Sequence, residues 1–356
     1  MTTYIAKMFA VRIVAVLLML VLILQMLDLL SESGKILGAS GNGQGQLLTY
    51  VSLRVPQLVS RFLPYSVLLA TIITLATLNQ NSEVIAMKAA GLSAHQVLAP
   101  LFLVAAVASA TTFVFNERVV TRANSTLKAW QAVDYGKVPL VSGTRANVWL
   151  QDGGNVLFAK AVTGEGAAMR MTGVSWYRRD PTGMVTEIVR AAGAGFANPG
   201  WKFESAETFD VQSARRTPVT GPAIYARSLE PAQVTLSKVD PDAQSLLELK
   251  GSIQAMQDAG KRTNENQGKW WHKISGPLSA LLMPLLGAVA AFGLARSGQL
   301  FLRAVIGMAL GFAYFVVDNA ALALGNFGGY TPLLAAWAPF VLFALIGETV
   351  LIRTEE

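Results

Sequence analysis

The chain has 356 residues, of which 53% are hydrophobic and only 14% charged, and its net charge is +7. This composition is too apolar and too poor in charge for an ordinary soluble domain, and the lack of cysteine excludes disulfides and thiolate metal sites. The basic residues are scattered, so the positive charge indicates an anionic membrane or lipid as partner, and not nucleic acid.

Both ends of the chain are apolar and the middle is polar. A helix needs about 20 apolar residues to cross a bilayer. The segments that meet this requirement are Met8 to Leu30, Leu47 to Leu78, Gln96 to Asn116, Ile274 to Ala295, Leu302 to Leu324, and Thr331 to Ile352. The sequence therefore predicts an α-helical membrane protein with six transmembrane helices, three in residues 1–116 and three in residues 268–356.

The second apolar segment is longer than a bilayer requires. Two arginines lie in its first half, with Pro56 and Pro64 beside them. We therefore expect the early part to lie at the membrane interface and the later part, Phe62 to Leu78, to cross.

An even number of crossings places both termini on one side, and we expect that side to be the cytoplasm. Basic residues then flank the inner ends of the spans, as the positive-inside rule requires: Lys7, Arg12, Lys88, Arg296, Arg303 and Arg353. The outer flanks also hold basic residues, so charge alone does not settle the orientation. Long translocated domains largely escape the rule, which favours an external, periplasmic position for residues 117–267.

The polar middle consists of short β-prone runs separated by turn signals. The runs are Asn147 to Leu150, Val156 to Val162, Val174 to Tyr177, Val185 to Arg190, and Trp201 to Phe209. This spacing predicts an inserted all-β domain, an antiparallel sandwich or jelly roll. We expect a helix on each side of it, Asn116 to Tyr135 and Ser245 to Ala259, the second with a capping box from Ser245 to Glu248.

The loop between the second and third spans, at about residues 81–92, contains a candidate docking helix. If Ser82 caps a helix from Glu83 to Ala90, the Glu83 carboxylate lies in the first turn, where the helix dipole favours it, and Gly91 ends the helix. Its apolar face would comprise Val84, Met87 and Ala90, which suits insertion into a groove on a partner. The alternative is an ordinary solvated turn.

Basic residues near the predicted outer interface form a second candidate site. Arg54 and Arg61 are seven positions apart and therefore share a helical face. Arginine matches the geometry of phosphate, so a basic ring could bind the phosphorylated head of a lipid. The candidates are Lys35, Arg54, Arg61, Arg118 and Arg122. The alternative is that these side chains extend towards ordinary lipid headgroups.

Polar residues also lie inside or at the end of predicted spans: Asp28, Asp318 and Asn319. An intramembrane carboxylate is costly and by default indicates function, but an interhelical hydrogen bond that only fixes packing explains it equally well. In the same span, Gly307 and Gly311 form a small-xxx-small pattern that could bring this helix close to another.

Enzyme signatures are absent from the sequence. No P-loop motif occurs, and His95 and His272 lie in different flanks, so we expect no catalytic residues, no metal site and no cofactor in this chain. Energy for any transport would come from a partner.

Three segments carry a resemblance to a known family. Leu63-Pro64 followed by Asn79 to Ser93 resembles the exit of the second span and the cytoplasmic loop of the LptF/LptG permeases, which export lipopolysaccharide. His272 to Leu278 resembles that family's entry into the fourth span. The position of Asp28 within Leu27 to Leu30 is more similar to the LptG half of the family than to the LptF half.

The resemblance implies an inner-membrane permease subunit of an ATP-driven ABC transporter. Its partners would be one LptF-type subunit in a heterodimer, two LptB-type cytoplasmic ATPase subunits that bind ATP and Mg, and an LptC-type single-span protein. Lipopolysaccharide would be extracted from the inner membrane and passed to a periplasmic protein bridge towards the outer membrane. Glu83 would then belong to the ATPase-coupling loop, and the middle region to a periplasmic jelly roll.

Two other classes of function stay open from the residues alone. A membrane enzyme acting on envelope lipids would need converging acid and base groups, and the carboxylates of the middle region show no evident pair. A scaffold that docks partners along open strand edges would bind no lipid.

Overall fold

The computed structural model describes residues 2–136, 145–164, 166–221, 223–231, 233–234, 239–258, 260–292 and 300–353. The chain divides into two compact units. The helical unit comprises Met1–Asp28, Val55–Val119 and Gly260–Glu356, and the sheet unit comprises Leu29–Arg54 and Val120–Ala259.

Long helices lie on both sides of the polar middle. They are α1 Thr2–Gly38, α2 Gln44–Gln80, the short α3 Glu83–Ala89, α4 Ala94–Phe115, α5 Thr121–Ala132, α6 Leu246–Asp258, α7 Asn264–Phe292, α8 Leu300–Asn326 and α9 Pro332–Arg353. A π-helical turn, Asn116–Val120, joins α4 to α5, so the third predicted span continues as helix into the middle region, as the sequence predicted.

Five helices in the described part of the chain are long and apolar enough to cross a membrane: α1, α2, the continuous stretch Ala94–Ala132, residues Val305–Asn326 of α8, and α9. Each overlaps one of the predicted spans over most of its length. The remaining predicted span, Ile274 to Ala295, lies largely in α7, which is not among these five, and its last three residues fall outside the described ranges. The sixth crossing therefore stays a prediction.

Helix α2 is unbroken over 37 residues, with Pro56 and Pro64 inside it. At 1.5 Å per residue it is about 55 Å long, well beyond the roughly 30 Å of a bilayer's hydrocarbon core. Part of α2 must therefore extend past the core of a membrane that it crosses.

Helices from both halves of the sequence share one hydrophobic core in the helical unit. It includes Phe9 of α1, Leu75 of α2, Leu98 of α4, Met283 of α7 and Phe343 of α9, all buried. Large apolar side chains on α1 point outward instead, among them Leu18, Leu22, Met26 and Leu30. Such an exposed apolar surface is unfavourable in water and suits contact with lipid.

Glycines permit close approach between these helices. A methyl group added at Gly311 of α8 would lie 2.1 Å from Leu68 Cδ2 of α2, and one added at Gly287 of α7 would lie 2.6 Å from Thr71 Cγ2. The predicted close approach at the small-xxx-small pattern is therefore confirmed for Gly311.

The middle region contains an antiparallel sheet with the strands β1 Arg145–Asp152, β2 Asn155–Thr163, β3 Arg170–Arg179, β4 Val185–Phe196, β5 Trp201–Glu204, β6 Glu207–Asp210, β7 Arg215–Pro218 and β8 Ile224–Tyr225. The order is β1-β2-β3-β4-β5-β8, with β6 pairing with β4 and β7. One face carries the core, in which Trp201 is fully buried and donates its indole N–H to the Leu229 carbonyl at 3.0 Å. The β-rich middle is thus confirmed, whereas the jelly roll stays a prediction.

The predicted single strand from Trp201 to Phe209 is wrong. Ser205 adopts a left-handed conformation (φ 52°), which breaks the run into β5 and β6. Both strands pair with β4, at Gly193–Phe196 and Glu187–Arg190 respectively.

The capping box before α6 is confirmed. The Ser245 backbone N–H donates to the Glu248 carboxylate at 2.8 Å, and the Glu248 N–H donates to Ser245 Oγ at 3.3 Å. These two bonds satisfy donors that the first turn of a helix otherwise leaves unpaired.

Candidate functional site

The short helix α3 begins differently from the prediction. Ser82 adopts a left-handed conformation (φ 58°), and its side chain makes no capping hydrogen bond, so the expected Ser82 cap is wrong. The Asn81 side chain instead donates to the Glu83 carboxylate at 3.3 Å. Glu83 nevertheless lies in the first turn, where the helix dipole favours its charge.

The apolar face of α3 packs on the protein's own helices. Val84 and Met87 are buried in the core of the helical unit, so the expectation that they insert into a partner's groove is wrong. Ala90 is exposed, and so is Ile85, at 66%. Gly91, with φ 82°, follows the helix as predicted, and its N–H donates to the Lys88 carbonyl at 3.0 Å.

Helix α4 begins immediately after this loop. Ser93 and Gln96 form a reciprocal capping box at its N-terminus. His95, in its first turn, lies 2.6 Å from Glu348 of α9 through Nε2 and Oε1. Sequence reasoning missed this pair, because the two residues are 253 positions apart and no local pattern links them.

The five basic residues of the predicted phosphate site do not all belong to one unit. Lys35, Arg54 and Arg122 belong to the sheet unit, and Arg61 and Arg118 to the helical unit. All are exposed except Arg54, which is half-buried. A single ring formed by all five therefore stays a prediction.

Two of these residues, Lys35 and Arg54, interact with one carboxylate, Glu32, that the sequence did not indicate as part of the site. Lys35 Nζ donates to Glu32 Oε1 at 2.9 Å, and Tyr135 Oη donates to Glu32 Oε2 at 2.6 Å. The positive charge of Arg54 adds a smaller electrostatic stabilisation of the same carboxylate than these two hydrogen bonds do. We refer to Glu32, Lys35, Arg54 and Tyr135 as the Glu32 cluster. The i, i+3 spacing of Glu32 and Lys35 could have indicated their pairing.

Tyr135 is fixed from several directions. The residue is 3% exposed, and its ring makes edge contacts with Trp130 and Tyr50 at centroid distances of 5.2 Å and 6.1 Å. The Asn42 side-chain amide donates to the Tyr135 carbonyl and to the Ile36 carbonyl, both at 2.8 Å. The turn between α1 and α2 is therefore tied to the end of α5, and the Tyr135 hydroxyl is held towards Glu32.

The three polar residues of the predicted spans lie in different surroundings. Asp318 of α8 is buried, and its Oδ2 lies 2.9 Å from His272 Nε2 of α7. Asn319 is exposed and donates to the Phe315 carbonyl of its own helix at 2.7 Å. Asp28 is half-buried. The structure thus contains the interhelical bond expected for Asp318, and a functional role for these residues stays a prediction.

A family model described as "Lipopolysaccharide export system permease LptF/LptG" matches residues 3–353. The chain belongs to this family. The resemblance seen in the loop around Glu83 and at His272 is thereby confirmed, and it extends over nearly the whole of this chain.

Curated relatives bear the LptG name. The chain is 27% identical over 360 residues to the lipopolysaccharide export system permease protein LptG of Escherichia coli strain K12. This alignment covers 98% of this chain and 97% of that protein. It is 22% identical over 304 residues to LptG of Haemophilus influenzae, and this alignment covers 85% of this chain and 84% of that protein.

Membership of the LptF/LptG family, together with the long apolar helices, indicates that this chain is a permease with a role in lipopolysaccharide transport. It is a transport subunit and a multi-pass protein of the inner membrane.

Proposed function

We propose that the chain is the LptG-type permease subunit of an ATP-driven ABC transporter that extracts lipopolysaccharide from the inner membrane and passes it to a periplasmic protein bridge. The observation that carries this proposal is the family match over residues 3–353, supported by the relatives named LptG. Its partners are one LptF-type permease subunit, two LptB-type ATPase subunits that bind ATP and Mg, and an LptC-type single-span protein.

In this proposal the chain crosses the membrane six times, with both termini in the cytoplasm and the central sheet, a jelly-roll-like domain, in the periplasm. The basic residues at Lys7 and Arg12 near the N-terminus and Arg353 near the C-terminus support this orientation. The periplasmic sheet receives the lipid after it leaves the helices.

We further propose that α3 couples the ATPase to the membrane helices. Burial of Val84 and Met87 in the helical core supports this role, because a helix packed by two such side chains moves together with the helices beneath it. The Glu83 carboxylate pairs with a basic residue of the ATPase, and the exposed side of α3, including Ile85, provides the contact surface.

Lipid binding is assigned to the outer basic residues and the apolar helix surfaces. The exposed ammonium of Lys35 and the guanidinium of Arg54 suit the phosphate groups of the lipid head. The outward apolar side chains of α1, such as Leu22 and Met26, suit its acyl chains.

Copurification tests the assembly. After solubilisation, the tagged chain should bring down a second multi-span permease and a soluble P-loop ATPase in a ratio of one to one to two. Recovery of the chain alone or as a homodimer that hydrolyses no ATP would refute the assembly.

Substitution at Glu83 tests the coupling. Glu83→Ala should reduce ATPase association or lipopolysaccharide transport, whereas Ser82→Ala should leave both unchanged because the Ser82 side chain makes no capping bond. Full transport by Glu83→Ala would count against coupling through this carboxylate.

A further inference from the structure

The Glu32 carboxylate already interacts with two of the cations that a bound phosphate would use. It accepts a hydrogen bond from Lys35 at 2.9 Å and lies within the electrostatic reach of Arg54. Both of these cations belong to the set assigned above to the phosphates of the lipid head. A phosphate that binds them therefore competes with the Glu32 carboxylate for the same positive charges.

The two ends of this ion pair differ in how firmly they are held. The Lys35 side chain is 68% exposed, whereas the Glu32 side chain is 20% exposed. Glu32 also accepts the Tyr135 hydroxyl at 2.6 Å, and Tyr135 itself is buried. The lysine can thus turn towards a ligand while the carboxylate stays in place.

We propose that Glu32 is a specificity-determining residue, which competes with lipid phosphate for Lys35 and Arg54 and so favours phosphomonoesters over the phosphodiesters of bulk phospholipids. The proposal rests on the lipid-binding role proposed above. A phosphomonoester carries about −1.5 to −2 charge near pH 7 and outcompetes a carboxylate. A phosphodiester carries a single negative charge and gains little over the carboxylate already present.

The same competition aids release. When the lipid head leaves, Lys35 returns to a carboxylate that Tyr135 has kept in position, so the empty site is not left with an unpaired cation cluster. Phospholipids with a phosphodiester head are meanwhile bound less tightly, because the resident carboxylate competes with them.

A matched pair of lipids tests the proposal: phosphatidic acid, a phosphomonoester, and phosphatidylglycerol, a phosphodiester, with identical acyl chains. Each is titrated into the full-length chain in phosphatidylcholine nanodiscs, and bound lipid is counted by native mass spectrometry. The unaltered chain should prefer phosphatidic acid. Glu32→Gln should reduce this preference by about twofold to fivefold, mainly by tighter binding of phosphatidylglycerol.

Three variants separate charge from structure. Glu32→Asp retains the charge, and Tyr135→Phe removes the hydrogen bond but leaves the carboxylate, so both should keep most of the preference. Glu187→Gln alters a carboxylate that is 27% exposed and pairs with Arg178 on the sheet, and it should have no effect. An equal loss of preference in Tyr135→Phe and Glu32→Gln would indicate a structural role and overturn the proposal.

The double variant Lys35→Ala, Arg54→Ala separates a failure of this inference from a failure of the proposed phosphate-binding site. If the double variant binds both lipids as well as the unaltered chain does, the proposed phosphate site is wrong. If it binds them more weakly while Glu32→Gln keeps the original preference, the phosphate site stands and the competition by Glu32 is refuted.

Discussion

His272 Nε2 lies 2.9 Å from Asp318 Oδ2, and this contact joins α7 to α8 within the helical unit. The aspartate side chain is 8% exposed and the histidine 29% exposed. A carboxylate buried to this extent is costly unless a partner satisfies it, so the pair constrains how the two helices pack.

Removal of one partner should therefore destabilise the helical unit. Asp318→Ala leaves the His272 ring without its acceptor and should lower the free energy of unfolding by about 1 to 3 kcal/mol. Asp318→Asn can still hydrogen-bond the ring and should cost less. Thermal unfolding of the purified chain in detergent measures both effects.

A more exposed pair of the same chemical type serves as the control. His95 and Glu348 are 43% and 45% exposed, so solvent screens their interaction. Glu348→Gln should change stability by less than about 1 kcal/mol. An Asp318→Ala chain as stable as Glu348→Gln would contradict a stabilising role for the buried pair. Loss of transport in a stable Asp318→Asn chain would show that the charge itself has a function.

Close packing of α7 against α2 should be sensitive to a single methyl group. In Gly287→Ala the new Cβ would lie 2.6 Å from Thr71 Cγ2 and 3.0 Å from Thr71 Cβ, and the β-branched Thr71 has few rotamers available. The helices must separate, at a cost of about 1 to 3 kcal/mol. Thermal unfolding in detergent checks this.

Gly34→Ala provides the matched comparison. Among the described residues, no atom outside the backbone of α1 and the two chain neighbours lies within 4 Å of a Cβ at this position, and alanine favours helix over glycine by about 1 kcal/mol. This variant should be as stable as the original chain or more so. Equal melting temperatures for the two alanine variants would refute the close contact at Gly287.

Local patterns in the sequence predicted most of the elements. Apolar runs of sufficient length predicted α1, α2, α4, α8 and α9, because hydrophobicity over about 20 residues is a strong signal. The Ser245 to Glu248 capping box was also predictable, since both hydrogen bonds form within four consecutive residues.

Features that depend on the tertiary fold were not predictable. The break between β5 and β6 requires a positive φ at Ser205, and a serine in the sequence does not predict such a backbone conformation. Periodicity correctly grouped Val84 with Met87 on one face of α3, but it could not tell whether a partner or the chain itself covers that face. Glu32 and Tyr135 are 103 positions apart, so nothing local indicates their bond.

The turn between α1 and α2 should loosen when Asn42 is replaced. Asn42→Ala removes two hydrogen bonds of 2.8 Å, to the Ile36 and Tyr135 carbonyls. We expect a loss of about 1 to 2 kcal/mol and faster amide hydrogen exchange in the turn and at the end of α5. Gln46→Ala, which removes only a local bond from the Gly43 N–H, should affect the turn alone. Unchanged exchange at the end of α5 in Asn42→Ala would contradict the link.

The two faces of α3 should respond differently to substitution. Met87 is 3% exposed, and Met87→Ala should loosen α3 from the helical core at a cost of about 2 kcal/mol or more. Under the proposed function, the ATPase would still bind, but its nucleotide cycle would move the membrane helices less, so ATP hydrolysis would continue with reduced transport.

Ile85→Ala alters the outward face and is the matched variant. Ile85 is 66% exposed, so its truncation should leave the stability of the chain within about 0.5 kcal/mol. It should instead weaken recovery of the ATPase with the chain. Copurification, ATPase activity and transport measured in parallel separate the two outcomes. If Met87→Ala releases the ATPase and Ile85→Ala retains it fully, then Met87 and not Ile85 contacts the partner, and the burial of Met87 in the helical core does not persist in the assembled transporter.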